Sequence, residues 1–327
     1  MKNYFNTINN YDGRFLTDKF ENSSLKGILE DTNDLLNAIS DGADIISNYA
    51  KGKNRILITD LLLGALNTLK SIQACCKIGS FSDSNILTRK FRDDLFLYLF
   101  ILEADNNKYE IINERVKEAG VLDCDLFSDG IINQEKMTEW LNYYLQIHYS
   151  EGWKDIDHKA IDAWFDDSAH SGDFRRQLDN KNYYGYLEKN QLVKQCIDIF
   201  KLKSSWDMLK KRENNYTHNN GRTYISDNIP FHLVALNQRL EELLDQIGRD
   251  IIFITSLFLT ILILIKPNFI SSSDYLDYLE IGEQPPEDSQ YWVDPTVQDF
   301  ISKYLSSLHP ELSNFLKKNN PYGMMID

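Results

Sequence analysis

The chain has 327 residues, which is long enough for one large domain or for a small domain with elaborations. Hydrophobic residues make up 43% of it and there are only 7 prolines, so we expect a sizeable core of long regular elements rather than wholesale disorder. The formal net charge of −14 argues against a protein that coats nucleic acid non-specifically, because phosphate contacts need cations.

The first hundred residues carry apolar side chains at the spacing of α-helices. Helices are predicted over residues 25–46, 56–78 and 85–103. The third is charged in its first half and apolar all round in its second half, which indicates a helix that passes from an exposed or functional surface into a core. Residues 1–50 are therefore interpreted as an N-terminal helical extension, and residues 51–104 as the first part of a helical core.

The segment 105–186 is predicted to be an insertion into this core. Its candidate helices, 134–148 and 156–165, are shorter than those before it. Residues 166–186 are polar and aromatic, which is typical of a long loop, and such loops are often functional or mobile in compact proteins.

The core is predicted to resume over residues 187–267. A helix over 187–209 enters a polar loop, 210–221, and one or two further helices over 229–265 end before a proline. Residues 268–327 are predicted to be a linker and a short terminal helix. Because no series of strands is recognisable, the predicted fold class is all-α.

One apolar segment raises the question of a membrane. Residues 251–265 carry no charge, but a membrane-spanning helix needs about 20 apolar residues, with about 17 as the lower limit. The segment is shorter and continues an amphipathic helix. It is therefore predicted to be a buried core helix or an oligomer interface rather than a stable membrane insertion.

The cysteines and the start of the chain favour a cytoplasmic protein. Cys75, Cys76, Cys124 and Cys196 show no paired-ligand spacing, which is typical of reduced thiols. The first residues contain no apolar signal region.

No cofactor is expected from the motifs. A metal site could be assembled from three histidines and three aspartates, namely His148, His158, His170, Asp166, Asp167 and Asp173. No HExxH or paired Cys/His spacing supports such a site, so no metal is predicted. Glycine-rich loops of the GxxxxGK or GxGxxG type are also missing, which argues against nucleotide hydrolysis and dinucleotide redox chemistry.

The most informative residues are Arg212 and His218, which stand in the predicted polar loop. An imidazole can move a proton near neutral pH. A guanidinium can stabilise the extra negative charge of a pentacoordinate phosphate. The pair therefore suits cleavage of an RNA phosphodiester without a metal, and Asn214 and Asn215 would position the phosphate or the imidazole. The alternative is that His218 is a helix-capping or hydrogen-bonded loop histidine.

Cations are concentrated around the same segment. Residues 201–222 contain six lysines and arginines against two acids, although the whole chain is acidic. Lys210, Lys211 and Arg222 are therefore predicted to bind RNA. The alternative for the two lysines is a solvated helix end, where cations complement the helix dipole.

Residues 212–218 resemble the signature of the HEPN superfamily (higher eukaryotes and prokaryotes nucleotide-binding domains), in which an arginine, a polar residue and a few variable residues precede a histidine. Five residues separate Arg212 from His218, which fits that spacing. The sequence YTHNN at 216–220 is similar to the aromatic-x-His-x-Asn ending of several such families. Glu213 departs from the pattern, because the family commonly has an amide, His or Asp there.

A second resemblance lies earlier in the chain. Arg89 and Asp93 look like the Arg-x-x-x-acid helix of some HEPN-like families, and their spacing places them on one helix face. They are predicted to brace the catalytic loop or to line an RNA cleft. The alternative is a surface ion pair that contributes about 0.3–0.5 kcal/mol.

The resemblance implies an HEPN-like helical bundle and a metal-independent endoribonuclease of a bacterial toxin or anti-phage abortive-infection system. It also implies a homodimer, since one imidazole cannot easily act as base and acid in a single step and a twofold axis would supply two. Its expected partners are RNA, such as tRNA or another structured RNA, and an antitoxin or regulatory protein.

Two other functions are compatible with the sequence. The acidic chain is also compatible with a non-catalytic helical module that binds a nucleotide, RNA or a protein. Residues 251–265 leave a membrane-acting effector as the second alternative.

Overall fold

A computed structural model describes residues 13–49, 55–120, 127–128, 131–132, 134–150, 152–165, 177–217, 233–272, 293–320 and 326. The backbone divides into two compact units, one formed by Met1–Tyr98 with Glu188–Asp327 and the other by Leu99–Leu187. The described residues are mostly helical, so the predicted all-α class is confirmed.

Helices follow one another along the chain, with one short hairpin between the fourth and the fifth. They are α1 (Gly13–Glu21), α2 (Ser24–Tyr49), α3 (Arg55–Lys77), α4 (Phe81–Glu118), α5 (Gln134–His148), α6 (Ile156–Phe165), α7 (Asn180–Leu187), α8 (Gln191–Ile199), α9 (Leu202–Thr217), α10 (Leu233–Ile265), α11 (Pro295–Tyr304) and α12 (Leu312–Asn319). The hairpin pairs β1 (Phe127–Ser128) with β2 (Ile131–Ile132) in an antiparallel manner. Short 3₁₀ turns cover Pro267–Ile270 and Leu305–Ser307.

The first unit is centred on α10, which packs against α2 and also contacts α1, α8, α11 and α12. Its C-terminal half is apolar all round, and a helix of this kind is stable only when it is surrounded. Among the described residues, one helix, Gln238–Ile265, is long and apolar enough to cross a membrane. Within the fold, 83% of its most apolar stretch is buried, so residues 251–265 form part of the core of this unit.

The close approach of α2 and α10 depends on a glycine. A Cβ atom at Gly248 would lie 3.0 Å from Cδ1 of Ile28 and 3.8 Å from Cδ1 of Leu25. In contrast, a Cβ at Gly64 in α3 would meet nothing within 4 Å.

This contrast leads to a stability prediction. Alanine in a helix interior is favoured over glycine by about 0.5–1 kcal/mol, so Gly64→Ala should raise the free energy of unfolding by that amount. Gly248→Ala should gain less, because the end of the Ile28 side chain must shift to make room. Urea unfolding of both variants checks this, and equal gains would contradict the close approach of α2 to α10.

Two predicted helix boundaries are wrong. The helix expected over 85–103 continues as α4 to Glu118, because buried residues such as Ile112 and Val116 extend its apolar face. The helix expected over 187–209 is instead divided into α8 and α9. The division lies at Phe200 and Lys201, where Lys201 adopts a positive φ of 53°, and Asn190 begins α8 by accepting hydrogen bonds from two backbone amides.

The second unit has its own small core, and the predicted insertion, 105–186, lies inside this unit. Ile112, Val116 and Trp153 are buried there, with Trp140 and other partly buried side chains around them. The predicted long loop over 166–186 is wrong for its last part, because α7 is helical. The reason is aromatic packing: Tyr183 and Tyr186 lie 5.2 and 5.0 Å from the Phe100 ring, and all three are buried.

Candidate active site

The arginine of the sequence motif lies in α9, one turn before the last. The prediction that Arg212 stands in a polar loop is wrong, because α9 is helical through Thr217. Leu202, Trp206, Leu209 and Tyr216 recur along one buried face, and this face forms the helix despite the polar residues between them. The polar segment is therefore the end of a packed helix.

Arg212 contacts α10 through a carboxylate that the sequence interpretation did not single out. Its Nε donates to Oδ2 of Asp250 at 3.1 Å, and its Nη2 donates to Oδ1. Gln246 also donates to Asp250 Oδ1, at 2.9 Å. This bidentate contact fixes the plane of the guanidinium, while 33% of the Arg212 side chain stays exposed.

The buried position of Asp250 affects its ionisation. Burial raises the pKa of its carboxyl to about 6, although Arg212 and Gln246 act in the opposite direction. The carboxyl is thus predominantly ionised above that value and then balances the charge of Arg212.

Glu213, the next residue, contacts α4 on another side of the helix. Arg92 Nη1 donates to Glu213 Oε2, and both side chains are only 1% exposed. The same guanidinium donates to Asp93 Oδ1 at 2.9 and 2.6 Å and lies 5.2 Å from the Trp206 ring. Burial raises the pKa of Glu213 to about 8 against the opposing effect of Arg92.

The contact with Arg92 gives Glu213 a structural role. Within this chain, the glutamate has a buried guanidinium as its partner. Sequence reasoning missed Arg92, although a signal was present: it occupies a core position of α4, between the buried residues Thr88 and Phe96. A charge at such a position usually has a buried partner.

The second sequence motif lies beside the first one. Arg89 Nη1 donates to Oδ1 of Asn214 at 3.2 Å, and Arg89 Nε lies 3.7 Å from Oδ2 of Asp93. Residues 125 positions apart are thus in direct contact at the end of α9. The structure therefore brings together three of the predicted residues, Arg89, Asp93 and Asn214, in one cluster. Arg212 lies two positions before Asn214 on another side of α9, where it contacts α10.

The remaining predicted residues are distributed around this cluster or lie beyond it. Lys210 is half-buried, and burial together with Arg92 lowers the pKa of its ammonium. Lys211 is exposed and Asn215 is half-buried. His218 and Arg222 lie outside the described residues, and α9 ends at the residue that precedes His218.

Of the three histidines considered as metal ligands, His158 has other partners. In His158, Nδ1 lies 2.8 Å from Asp155 Oδ1 and Nε2 lies 3.0 Å from the carbonyl oxygen of Ala104. Both ring nitrogens are thus engaged in hydrogen bonds, which leaves neither for a metal. Within the described part of the chain, no group of three His, Cys, Asp or Glu residues could hold a metal ion. His170, Asp166, Asp167 and Asp173 lie outside that part.

The raised pKa of Glu213 predicts how stability depends on pH. The folded chain holds a proton up to about pH 8, whereas the same carboxyl in an unfolded chain releases it near its ordinary value of 4.5. The free energy of unfolding should therefore fall as pH rises through this window, by at most about 1.4 kcal/mol per pH unit for this proton.

Urea unfolding across the same window tests the assignment. Glu213→Gln should flatten the slope because it removes the titrating group, whereas Glu242→Gln, at an exposed carboxylate, should leave it unchanged. An identical slope in Glu213→Gln and the wild type would contradict the assignment.

Two guanidinium groups near the end of α9 are thus held by carboxylates on different sides of the helix, Arg89 by Asp93 and Arg212 by Asp250. No family model, curated protein or solved structure matches the chain.

Proposed function

We propose that this protein is a metal-independent endoribonuclease with an HEPN-like core. The observation that carries the proposal is that Arg89 and Asp93 form a cluster with Asn214, two positions after Arg212, in the last turn of α9. These residues come from two separate segments that resemble the same family, and the turn leads directly to His218.

The proposed reaction uses the nucleophile that RNA already carries. A base removes the proton of the ribose 2′-OH, and the oxygen attacks the adjacent phosphorus. The bond between phosphorus and the 5′-oxygen breaks, and an acid gives that oxygen a proton. The products are a 2′,3′-cyclic phosphate and a 5′-hydroxyl, so no water and no metal is consumed in this step.

Each predicted site residue has a role in this proposal. His218 moves the proton, and Arg212 stabilises the pentacoordinate phosphate. The contact with Asp250 holds the guanidinium in one orientation, which reduces the cost of reorganisation during the reaction. Asn214, Asn215, Arg89 and Asp93 support the site, and Lys210, Lys211 and Arg222 bind the RNA backbone.

A homodimer completes the chemistry. Two His218 side chains across a twofold axis would provide one base and one acid. We also propose a cytoplasmic setting in toxin or anti-phage defence, with an antitoxin or another regulatory protein as a restraint. Expression of the wild-type protein alone tests that restraint, and harmless expression would contradict it.

The direct test is incubation of the purified protein with total RNA and with tRNA in the presence of EDTA. Cleavage should persist, and the new 3′ ends should be cyclic phosphates. Both Arg212→Ala and His218→Ala should abolish it, whereas His309→Ala, whose ring packs against Phe200, should not. Unchanged cleavage in the first two variants would remove the proposed site.

One observation favours a second function, a non-catalytic module that binds RNA, a nucleotide or a protein. The bidentate contact between Arg212 and Asp250 is also what a purely structural pair would form. Binding of RNA without cleavage, by wild type and His218→Ala alike, would favour this alternative. A membrane-acting effector is less well supported, because the apolar stretch of α10 is mostly buried; carbonate extraction of cell membranes tests it.

A further inference from the structure

Glu213 interrupts the apolar face of α9. Buried residues recur along this face at intervals of three or four, and they are Trp206, Leu209, Glu213 and Tyr216. Glu213 is as buried as its apolar neighbours. A polar residue in such a seam restricts how two helices can be aligned, because its partner must be directly opposite.

Arg92 is that partner, and it contacts α9 at two levels. Its guanidinium lies over Trp206 and also donates to Glu213, seven residues further along the helix. Two turns of α9 are thus aligned with one side chain of α4. Apolar contacts alone would tolerate a shift of one helical turn, about 5.4 Å, far better than this paired arrangement does.

A gain in stability does not explain why these two helices contain a buried charged pair instead of apolar residues. Replacing a buried charged pair by apolar residues of similar volume is often neutral or stabilising, because both groups must be removed from water. The best-attested benefit of buried polar groups is that they select one register among several apolar ones.

We infer that Arg92 and Glu213 are positioning residues, which fix the register and rotation of α9 on α4 and thereby orient Arg212. This inference rests on the proposed nuclease site for its functional consequence. Because Arg212, Glu213 and Asn214 are consecutive, any rotation of the helix that releases Glu213 also moves Arg212 away from Asp250. The pair therefore acts on the reaction through the arginine, without touching the RNA.

The test uses a double variant that retains core volume, Arg92→Met with Glu213→Leu. Cysteines are introduced in place of Arg89 and Asn214, whose side chains are in contact in the native alignment. A short bifunctional thiol reagent then joins cysteines that lie close together, and this reports the register of the two helices. Crosslinked peptides identified by mass spectrometry should show residue 89 joined to 214 in the wild-type background. In the double variant, a link from residue 89 to a cysteine at Lys210, one turn earlier, should appear.

Cleavage kinetics provide the second readout, in proteins without the introduced cysteines. The double variant should keep its melting temperature, while kcat falls on the order of 100-fold with little change in KM, as expected when a reacting group is displaced. Arg92→Lys with native Glu213 retains the charge and should recover part of kcat. The exposed pair Arg239→Gln with Glu242→Gln serves as the control and should change neither readout.

The outcomes separate the inference from the proposed function. An unchanged crosslink in the double variant overturns the inference, and so does a shifted crosslink with unchanged kcat. If the wild-type protein cleaves no RNA, the proposed function fails. In that case the crosslink alone decides whether the pair fixes the register.

Discussion

Replacing Arg92 by alanine is expected to lower the free energy of unfolding by about 3–5 kcal/mol above pH 8, where the Glu213 carboxyl is ionised and the substitution breaks a buried charged pair by removing one partner. The substitution leaves the Glu213 carboxyl buried without its guanidinium and opens a cavity beside Trp206. The loss should grow as pH rises toward and above 8, because the isolated carboxyl must then either keep a proton or carry an uncompensated charge. Urea unfolding monitored by circular dichroism measures it.

A matched control lies on the same helix. Lys90, whose side chain is 55% exposed, pairs with the half-buried Asp94 at 2.5 Å, and Lys90→Ala should change stability by no more than about 1 kcal/mol. Similar losses in Arg92→Ala and Lys90→Ala would mean that the buried pair contributes no more than a surface pair. Loss of stability in Arg92→Ala that is independent of pH would instead point to the cavity alone.

The sequence predicts the class of fold well, because helical periodicity is a local property. The apolar spacing of residues 25–46 and 56–78 corresponds to α2 and α3. At the end of α9, the polar composition predicts a loop although the segment is helical. The only sign of a helix there is the spacing between the apolar residues Leu209 and Tyr216, which is two helical turns. That interval is too short to outweigh a run of charged and amide side chains between them.

The candidate site could be predicted only in part, because its contacts join distant segments. Local motifs predict Arg89 and Arg212, and the structure gives both a carboxylate partner. No local motif predicts Arg92, since its partner Glu213 is 121 residues away and the pairing depends on how α4 packs on α9. The same holds for Asp250, because its contact with Arg212 follows from the position of α10.

Replacing His218 by alanine is expected to reduce RNA cleavage by about 10²–10⁴-fold, the usual contribution of a side chain that transfers a proton in the transition state. The loss should fall on kcat, because the cations that bind RNA remain. Binding of a non-cleavable RNA with 2′-deoxy substitution should be unchanged in the variant. Reduced binding together with unchanged kcat would instead indicate that His218 contacts RNA without moving a proton.

Mixing experiments test whether two copies of His218 serve one reaction. After subunit exchange between equal amounts of wild type and His218→Ala, roughly one quarter of the dimers contain two intact sites. If base and acid come from different protomers, the activity of the mixture should fall to about that fraction, since a mixed dimer lacks one of the two. Activity that falls only to half would mean that each protomer works alone, so that a second group near the last turn of α9 must supply the other proton transfer.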